Sequence, residues 1–396
     1  MGRKAFVGNL IAMVAVVLSL CAPGVAHAQT FRGTILGTVT DNTGAVIPGA
    51  EVSVRNIETG IIRTTETDSV GNFTVPELPI GVYELSVQLA GFQKVVASNI
   101  KVEVAGERRV DVTLTPAGAN QTVTVEATVA LVSTSDDTLG GVIESARVDS
   151  LPVNGRDFTK LLVLVPGASG APDGGTDSPG SFGLFSINGN RGRSNNYLLD
   201  GTDMNDGYRN LPAINQGGVF GTPATILPIE AVAEVGVLSH FETEYGRSAG
   251  SVVNIVTKSG GNKIHGSAYE FFRNNKLDAR NYFNAEPNPE TQFRNNQFGV
   301  AAGGPLVRDR TFWFVSYEGQ REKVGLNSVA RVPDPAEIAA LGGPTNPVIE
   351  GILDRNPWPA PNNPVPLFDP APNVFLTTRA SNRVDSLIVK VDHNFN

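Results

Sequence analysis

The chain has 396 residues, of which 41% are hydrophobic and 18% are charged. At about 100 to 200 residues per domain, this length predicts two to four packed domains. The net charge is −8, and no Lys/Arg-rich run or basic patch interleaved with aromatic residues occurs, which argues against a nucleic-acid partner. Strand formers, Gly, Asn and Thr dominate, so we expect a mostly β chain.

Residues 1–28 are predicted to be a cleaved signal peptide. Arg3 and Lys4 precede an apolar run from Leu10 to Leu20, and Ala26-His27-Ala28 supplies a small-x-small cleavage site. The alternative, a transmembrane anchor, needs about 20 apolar residues and does not fit the shorter run. The single cysteine, Cys21, lies inside this segment, so we expect a mature chain without disulfides or cysteine-based zinc sites.

Residues 29–118 form a compositional unit of short alternating strands. In "GTILGTVTDNTGAVIPGAEVSVRNIETG" the alternation is interrupted by the turn Asp41–Gly44 and then resumes. A second turn at Asp68–Gly71 and the runs that follow bring the count to about seven strands, which predicts a two-sheet β-sandwich.

The same unit resembles the carboxypeptidase regulatory-like domain. The matching residues are Gly37, Asp41, Gly44, Pro48-Gly49-Ala50, Asp68, Gly71, Phe73, Leu78, Gly81, Tyr83 and Gly91-Phe92. The resemblance implies a transthyretin-like or prealbumin-like sandwich, grouped by fold with starch-binding modules. Carbohydrate binding is an alternative that rests on fold analogy alone. Peptidase activity is not expected, because no histidine has H-E-x-x-H spacing and His240 is followed by Phe241 and Glu242.

Residues 119–262 differ from the preceding unit in composition and pattern. A short strand at the start is followed by a Ser/Thr/Asp linker, and a helix is predicted around 157–164. Residues 167–183 are rich in Gly, Pro, Ser and Asp and predict a mobile loop. Near the end, Val252–Lys258 alternates with a period of two, which predicts a half-buried strand before the turn Ser259–Asn262.

This region resembles the plug of TonB-dependent outer-membrane receptors, particularly Oar-like receptors, with a mixed α/β fold. The matching stretches are Leu151–Arg156, Pro166-Gly167, Ile187–Gly189, Arg191, Leu199–Gly201, Pro228–Val232, Glu234-Val235, Glu244–Gly250, Asn254 and Thr257–Gly260. They occur in family order. The resemblance makes Val252–Lys258 the last plug strand, and Ser259–Asn262 the turn into the barrel.

The resemblance also implies site residues. Gln121–Glu126 lies where such receptors keep the TonB box, and we predict that Val123, Thr124, Val125 and Glu126 form a strand that a partner strand can join through main-chain hydrogen bonds. An ordinary linker strand is the alternative. Candidates for loop or lumen contacts are Asn188, Arg191, Arg193 and Asp200, although such residues are also common in structural turns.

Two patterns suggest other chemistry but lack the necessary context. Gly246–Gly250 fits G-x-S-x-G around Ser248, with His265 and His393 downstream, but an apolar strand before the serine and a helix after it are not indicated. Asp200, Asp203, Asn205 and Asp206 miss the calcium-loop spacing because Gly207 comes one position early, so a solvated turn is favoured. We therefore expect no catalytic residue, no cofactor and no metal site.

Residues 263–396 have the pattern of membrane β-strands. "HGSAYEFFRN", "NQFGVAAGGPL", "RTFWFVSYEGQRE" and "SLIVKVDHNFN" each approach the roughly 10 residues of a transmembrane strand. Residues 320–382 are predicted to be a long loop. The aromatic residues Phe312, Trp313, Phe314 and Tyr317 suit an interfacial girdle, although a sandwich core also explains them. The family strings that favour a barrel are Leu277–Phe283, Arg294–Gly299 and Gly303–Leu306.

The barrel predicted here is incomplete. Plugged outer-membrane transporters have about 22 strands of about 10 residues each, whereas 264–396 contains 133 residues and ends at Asn396 rather than at an aromatic residue. We therefore expect the first strands of a truncated barrel, and an N-terminal part of an Oar-like receptor.

The resemblance implies that the complete protein is a receptor that takes up an unidentified ligand through the outer membrane of a Gram-negative-type bacterium. The resemblance implies a TonB-type inner-membrane energy-coupling protein and outer-membrane lipid as partners. It also implies a siderophore, oligosaccharide or peptide as ligand, and a periplasmic location for the sandwich and the plug. The alternative is an exported carbohydrate- or peptide-binding adhesion protein without transport.

Overall fold

The structure is a computed structural model, which describes residues 32–116, 123–126, 139–144, 147, 156, 158–170, 185–207, 210, 212–213, 227–240, 245–246, 250–280, 282, 290, 292–344 and 346–395. The chain divides into two compact units, residues 1–258 and 259–396. The predicted signal peptide lies outside the described residues. Among the described residues no helix is both long and apolar enough to cross a bilayer.

The first unit begins with a β-sandwich. Its strands are β1 (Gly33–Asp41), β2 (Glu51–Asn56), β3 (Ile62–Glu66), β4 (Asn72–Leu78), β5 (Gly81–Gln88), β6 (Val95–Val102), β7 (Glu107–Arg109), β8 (Val112–Leu114) and β9 (Val123–Glu126). One sheet has the order β4-β1-β7 with β8 also on β1, and the other has the order β3-β2-β5-β6-β9. The predicted sandwich is confirmed. It has more strands than the seven expected, because two strands, β7 and β8, are only three residues long, and because β9, from beyond residue 118, adds to one sheet.

The sandwich core follows from the period of two. Buried and half-buried residues alternate along β1, so one face of the strand enters the core. The turn after β1 is fixed by Asp41, whose carboxylate accepts hydrogen bonds from the backbone N–H groups of Thr43 and Ala45 at 2.8 and 2.9 Å. The turn before β4 requires glycine: Gly71 has φ +76°, and a Cβ there would lie 2.8 Å from the carbonyl oxygen of Val39.

The first unit continues into a mixed sheet, which we call the central sheet. It consists of β10 (Leu139–Glu144), β13 (Asn196–Leu199), β14 (Thr202–Asp203), β15 (Val232–His240) and β16 (Val252–Thr257) in the order β10-β15-β16-β13-β14. Beside it lie the short strands β11 (Ala168–Ser169) and β12 (Ser186–Ile187), which pair with each other. Only β13 and β16 run parallel; the other neighbours are antiparallel.

Two sequence expectations for this region need correction. All six residues of β16 are buried, whereas the alternation predicted a half-buried strand. Both edges of β16 are paired, with β15 and β13, and burial of every residue shows that side chains on both faces of the strand are covered as well. The helix expected around 157–164 is present, but as a 3₁₀ helix, Phe158–Leu164; other 3₁₀ turns are Gly192–Ser194 and Ile229–Ala231.

The second unit is an antiparallel meander, which we call the C-terminal sheet. Its strands are β17 (His265–Asn274), β18 (Phe293–Val307), β19 (Thr311–Ala330) and β20 (Val374–His393), paired in that order. The loop predicted over 320–382 is wrong at both ends, because β19 continues to Ala330 and β20 begins at Val374. Between them lie the helices α1 (Pro335–Ala340) and α2 (Pro347–Arg355), whose N-caps are Asp334 and Asn346.

The two faces of the C-terminal sheet differ in polarity. On β20, Leu387, Val389 and Val391 point to one face and are 66%, 63% and 59% exposed. The opposite face buries polar side chains: Gln297 donates a hydrogen bond to Glu318 at 2.8 Å, and the Tyr269 hydroxyl donates to the same carboxylate at 2.9 Å. An apolar outer face and a polar inner face are typical of outer-membrane barrel strands.

The predicted aromatic girdle is only half supported. Phe312 and Phe314 are buried on the inner face, with 2% and 1% exposure. Trp313 and Tyr317 are paired with Val391 and Leu387 and therefore lie on the apolar face. Because adjacent strand residues point to opposite faces, four aromatic residues within one strand segment cannot all face lipid.

Candidate functional site

The predicted coupling segment is seated on the sandwich. Val123–Glu126 forms β9, and it pairs in parallel with β6, with Val95 opposite Val123 and Ser98 opposite Glu126. β9 is the outermost strand of its sheet. The expected extended conformation is therefore present, in a position that the sequence did not predict.

The sandwich and the central sheet meet at Glu234 on β15. This side chain is buried, with 5% exposure, and its carboxylate accepts a hydrogen bond from the backbone N–H of Val104 at 2.7 Å. Next to it on the same face of β15, Gly236 leaves room for the Val104 side chain, since a Cβ on Gly236 would lie 2.4 Å from Val104 Cγ1. The junction thus combines one hydrogen bond from a backbone N–H to a side-chain carboxylate with close packing of Val104 against Gly236.

Electrostatics at the junction raise the pKa of Glu234. Burial is the largest cause and raises this pKa to about 7, with Glu103 and Glu144 adding repulsion, while the hydrogen bond from Val104 and the charge of Lys101 act in the opposite direction. Lys101 Nζ lies 2.5 Å from Glu144 and 3.0 Å from Glu103. The Lys101–Glu144 ion pair joins β6 of the sandwich to β10 of the central sheet and is a second contact at this junction. The hydrogen bond from Lys101 lowers the pKa of Glu144.

Two of the family-like motifs are joined by an ion pair. Arg156 from the Leu151–Arg156 stretch contacts the carboxylate of Glu230 from Pro228–Val232. Both side chains are mostly buried, at 16% and 13% exposure. The rest of the first stretch lies outside the described residues. The ion pair therefore joins two segments whose charged residues are 74 positions apart in the sequence.

Asn195 organises the backbone near β13 and β16 and was not identified from the sequence. Its fully buried amide donates to the Phe185 carbonyl at 2.8 Å and accepts from the Ser251 hydroxyl at 2.9 Å. Asn205 extends the network, donating to the Asn195 carbonyl at 2.8 Å and accepting from the backbone N–H of Tyr197 at 2.6 Å. The only sequence signal was the Asn-rich composition of this stretch.

The four predicted contact residues are not brought together into one pocket. Asn188 is an exposed turn residue with φ +50°, and Arg191 and Arg193 are exposed at the 3₁₀ turn Gly192–Ser194. Asp200 is half-buried, and its carboxylate accepts hydrogen bonds from the backbone N–H and the hydroxyl of Thr257 at 2.9 and 2.6 Å. This bonding gives Asp200 a structural role, tying the end of β13 to the end of β16.

The patterns set aside for enzyme and metal chemistry gain no support where the structure describes them. Ser248 lies outside the described residues, and β16, a strand rather than a helix, begins at Val252. Among the described side chains no group of three or more His, Cys, Asp or Glu residues could hold a metal ion. Asp203 instead accepts a hydrogen bond from the backbone N–H of Asn205 at 2.9 Å, as a turn residue does.

Comparison with known families matches two parts of the chain. Residues 34–115 match the carboxypeptidase regulatory-like domain, and residues 256–396 match an outer membrane beta barrel domain. The two matches confirm the resemblances predicted for the sandwich and for the barrel strands. The barrel match also agrees with an outer-membrane location.

Relatives among characterised proteins are transporters and receptors. The chain is 30% identical over 320 residues to the TonB-dependent transporter Oar of Myxococcus xanthus, covering 77% of this chain and 28% of that protein. It is 27% identical over 172 residues to a probable TonB-dependent siderophore receptor, PirA, of Acinetobacter baumannii, covering 42% of this chain and 21% of PirA. The chain therefore spans about a quarter of the length of these relatives.

Among solved structures, the crystal structure of that siderophore receptor PirA aligns with 49% of this chain and 29% of its own, at 22% identity and a TM-score of 0.33. A putative carbohydrate binding protein from Bacteroides uniformis aligns with 21% of this chain and 41% of its own, at 20% identity and a TM-score of 0.19.

Proposed function

This chain is a homologue of TonB-dependent transporters of the outer membrane, and we propose that it forms the N-terminal part of a receptor that takes up an external ligand with energy from an inner-membrane partner. In this proposal the central sheet is the plug, the C-terminal sheet is the first part of a barrel, and both the sandwich and the plug face the periplasm. The process needs binding and a conformational change, and no covalent chemistry.

The observation that carries this proposal is the pair of edge strands that frames the linker 127–138. β9 is an extended strand at the edge of the sandwich, and β10 is the edge strand of the central sheet. Along the chain, the first strand of the central sheet after β9 is β10, which among the described strands pairs only with β15. An edge strand is paired on one side, so its removal breaks the hydrogen bonds of a single strand pair.

The ligand is proposed only by class. Siderophore, oligosaccharide and peptide are the candidates, and the name of PirA favours the first of these. Arg191 and Arg193 are exposed cations near the central sheet and are proposed to contact a ligand carrying carboxylate or phosphate groups. Asn188 is a weaker candidate because its left-handed backbone explains its presence in a turn.

The proposal is tested by crosslinking the coupling segment to its partner. Single cysteines at positions 123, 124, 125 and 126 are expected to form disulfides with cysteines in the periplasmic domain of a TonB-type protein in intact cells. The matched control is Thr64→Cys on β3, the opposite edge of the same sandwich sheet, which should give no adduct. Absence of adducts at all four positions in cells that take up the ligand would remove the coupling role. Release of the exported chain in soluble form without detergent would favour a binding protein instead.

A further inference from the structure

β9 pairs in parallel with β6 and so extends one sheet of the sandwich; we call this pairing the seat of β9. β6 pairs with β5 on one side, and over Val95–Ser98 its other edge is covered by β9. Without β9 this part of β6 would present a row of unpaired N–H and C=O groups, which is an unfavourable edge for a sheet. The last described pair of this ladder is Ser98 with Glu126, and the next residue of β6, Asn99, has φ +61°.

The chain just before β9 is anchored next to the same edge. The backbone N–H of Gln93 donates to the carbonyl of Thr115 at 2.8 Å, and the Thr115 hydroxyl donates to the Gln93 side chain at 3.1 Å. Pro116 forms an isolated bridge with Phe92. The short linker 117–122 then spans at most about 20 Å, which keeps β9 at a high effective concentration near β6.

β9 has a free outer edge among the described strands. The sheet order places β6 on one side of β9 and no described strand on the other. A strand already held in the extended conformation has lost much of its backbone entropy before a partner arrives. Strand addition to such an edge uses main-chain hydrogen bonds and makes few demands on side chains.

We propose that the sandwich is a docking platform for the energy-coupling protein: β6 holds β9 extended, and a strand of the TonB-type partner adds to the outer edge of β9 as the sixth strand of the sheet. This inference rests on the proposed function and adds a role for the sandwich. The surface involved is the continuous edge formed by Val95–Ser98 and Val123–Glu126.

The first test locks the seat with a disulfide. Ser98→Cys with Glu126→Cys places two cysteines opposite each other across adjacent strands, where the spacing of about 4.8 Å lies within the range a disulfide spans. The control, Thr64→Cys with Glu126→Cys, places the second cysteine on β3 at the far edge of the sheet. Capture of the full chain by the purified periplasmic domain of a TonB-type protein is then measured in the oxidised and reduced states.

If β6 holds β9 for docking, we expect the Ser98→Cys/Glu126→Cys pair to form a disulfide and the control pair to form none. We also expect the amount of partner captured by the oxidised chain to lie within about threefold of the amount captured by the reduced chain. A loss of more than about tenfold on oxidation, restored by reduction, would mean that β6 hides β9, and would overturn the platform. Failure of the pair to crosslink would overturn the seat itself. If no form captures the partner, and deletion of 123–126 changes nothing in cells, the proposed coupling function fails as well.

The second test separates the two edges of β9. Adjacent strand residues direct their N–H groups to opposite edges, and proline removes that donor. Of Thr124→Pro and Val125→Pro, one should lower partner capture about tenfold without changing the Ser98–Glu126 crosslink of the double-cysteine chain. The other should reduce both. If the variant that loses the crosslink captures more partner than the parent, the platform is refuted.

Discussion

Replacing Glu234 with glutamine should make the sandwich–sheet junction insensitive to pH. The side chain keeps an oxygen that can accept the Val104 N–H, so the 2.7 Å contact is retained while the ionisable group is removed. In the wild-type chain, burial raises the pKa of Glu234 from 4.5 to about 7. The unfolded carboxyl therefore loses its proton near pH 4.5, whereas the folded one keeps it until near pH 7.

The sign and size follow from proton linkage. Between pH 4.5 and 7 the folded state binds more protons than the unfolded state, so the stability contributed by Glu234 is complete below pH 4.5 and is lost as pH rises through 7. At about 1.4 kcal/mol per pH unit, a shift from 4.5 to about 7 makes the full loss about 3.5 kcal/mol. Glu234→Gln should resemble the wild type at about pH 4 and exceed its stability by about 3 kcal/mol at about pH 8.

The assay needs a local readout, because a chain of two compact units does not unfold in one step. Hydrogen exchange at the Val104 amide, measured from pH 5 to 8 with correction for intrinsic exchange, reports opening of this junction directly. Glu144→Gln is a useful comparison: it removes one of the charges that raise the pKa of Glu234, so the pH dependence of the junction should move to lower pH but persist. Equal pH dependence of wild type and Glu234→Gln above pH 5 would refute the reasoning.

Three further predictions concern single side chains. Arg156→Met should lower the free energy of unfolding by about 3 to 5 kcal/mol, because it leaves the mostly buried Glu230 carboxylate without its partner. In denaturant unfolding, the double variant Arg156→Met/Glu230→Leu should recover much of this loss. Equal losses in the single and the double variant would contradict the pairing. Asn254 is 1% exposed, and its side-chain amide has no hydrogen-bond partner among the described residues. Asn254→Leu should therefore match or exceed the wild-type free energy of unfolding in the same assay. A loss above about 2 kcal/mol would show that the amide has a partner. In the complete receptor of which this chain is proposed to be the N-terminal part, Val389→Arg on the apolar face of β20 should make insertion into lipid vesicles less favourable by about 2 to 4 kcal/mol. Ser386→Arg on the opposite face should have a smaller effect, so equal effects would refute the assignment of faces.

Local sequence patterns determined much of the architecture. The period of two identified the strands of the sandwich and of the C-terminal sheet, and the Asp and Gly residues of the turns, such as Asp41 and Gly71, specify reversals through contacts only a few residues away. The extended conformation of 123–126 was also predicted from its own residues. Such features depend on backbone geometry and near neighbours, which a sequence displays directly.

Only the tertiary structure decided which surfaces those elements share. The alternation in β16 does not reveal that both of its faces are buried. Nothing near Glu234 in the sequence indicates that Val104, 130 positions away, donates a hydrogen bond to it. The same holds for the seat of β9 on β6 and for the pairing of Arg156 with Glu230. These contacts join distant parts of the chain, so burial, pKa and strand partners arise from packing rather than from local pattern.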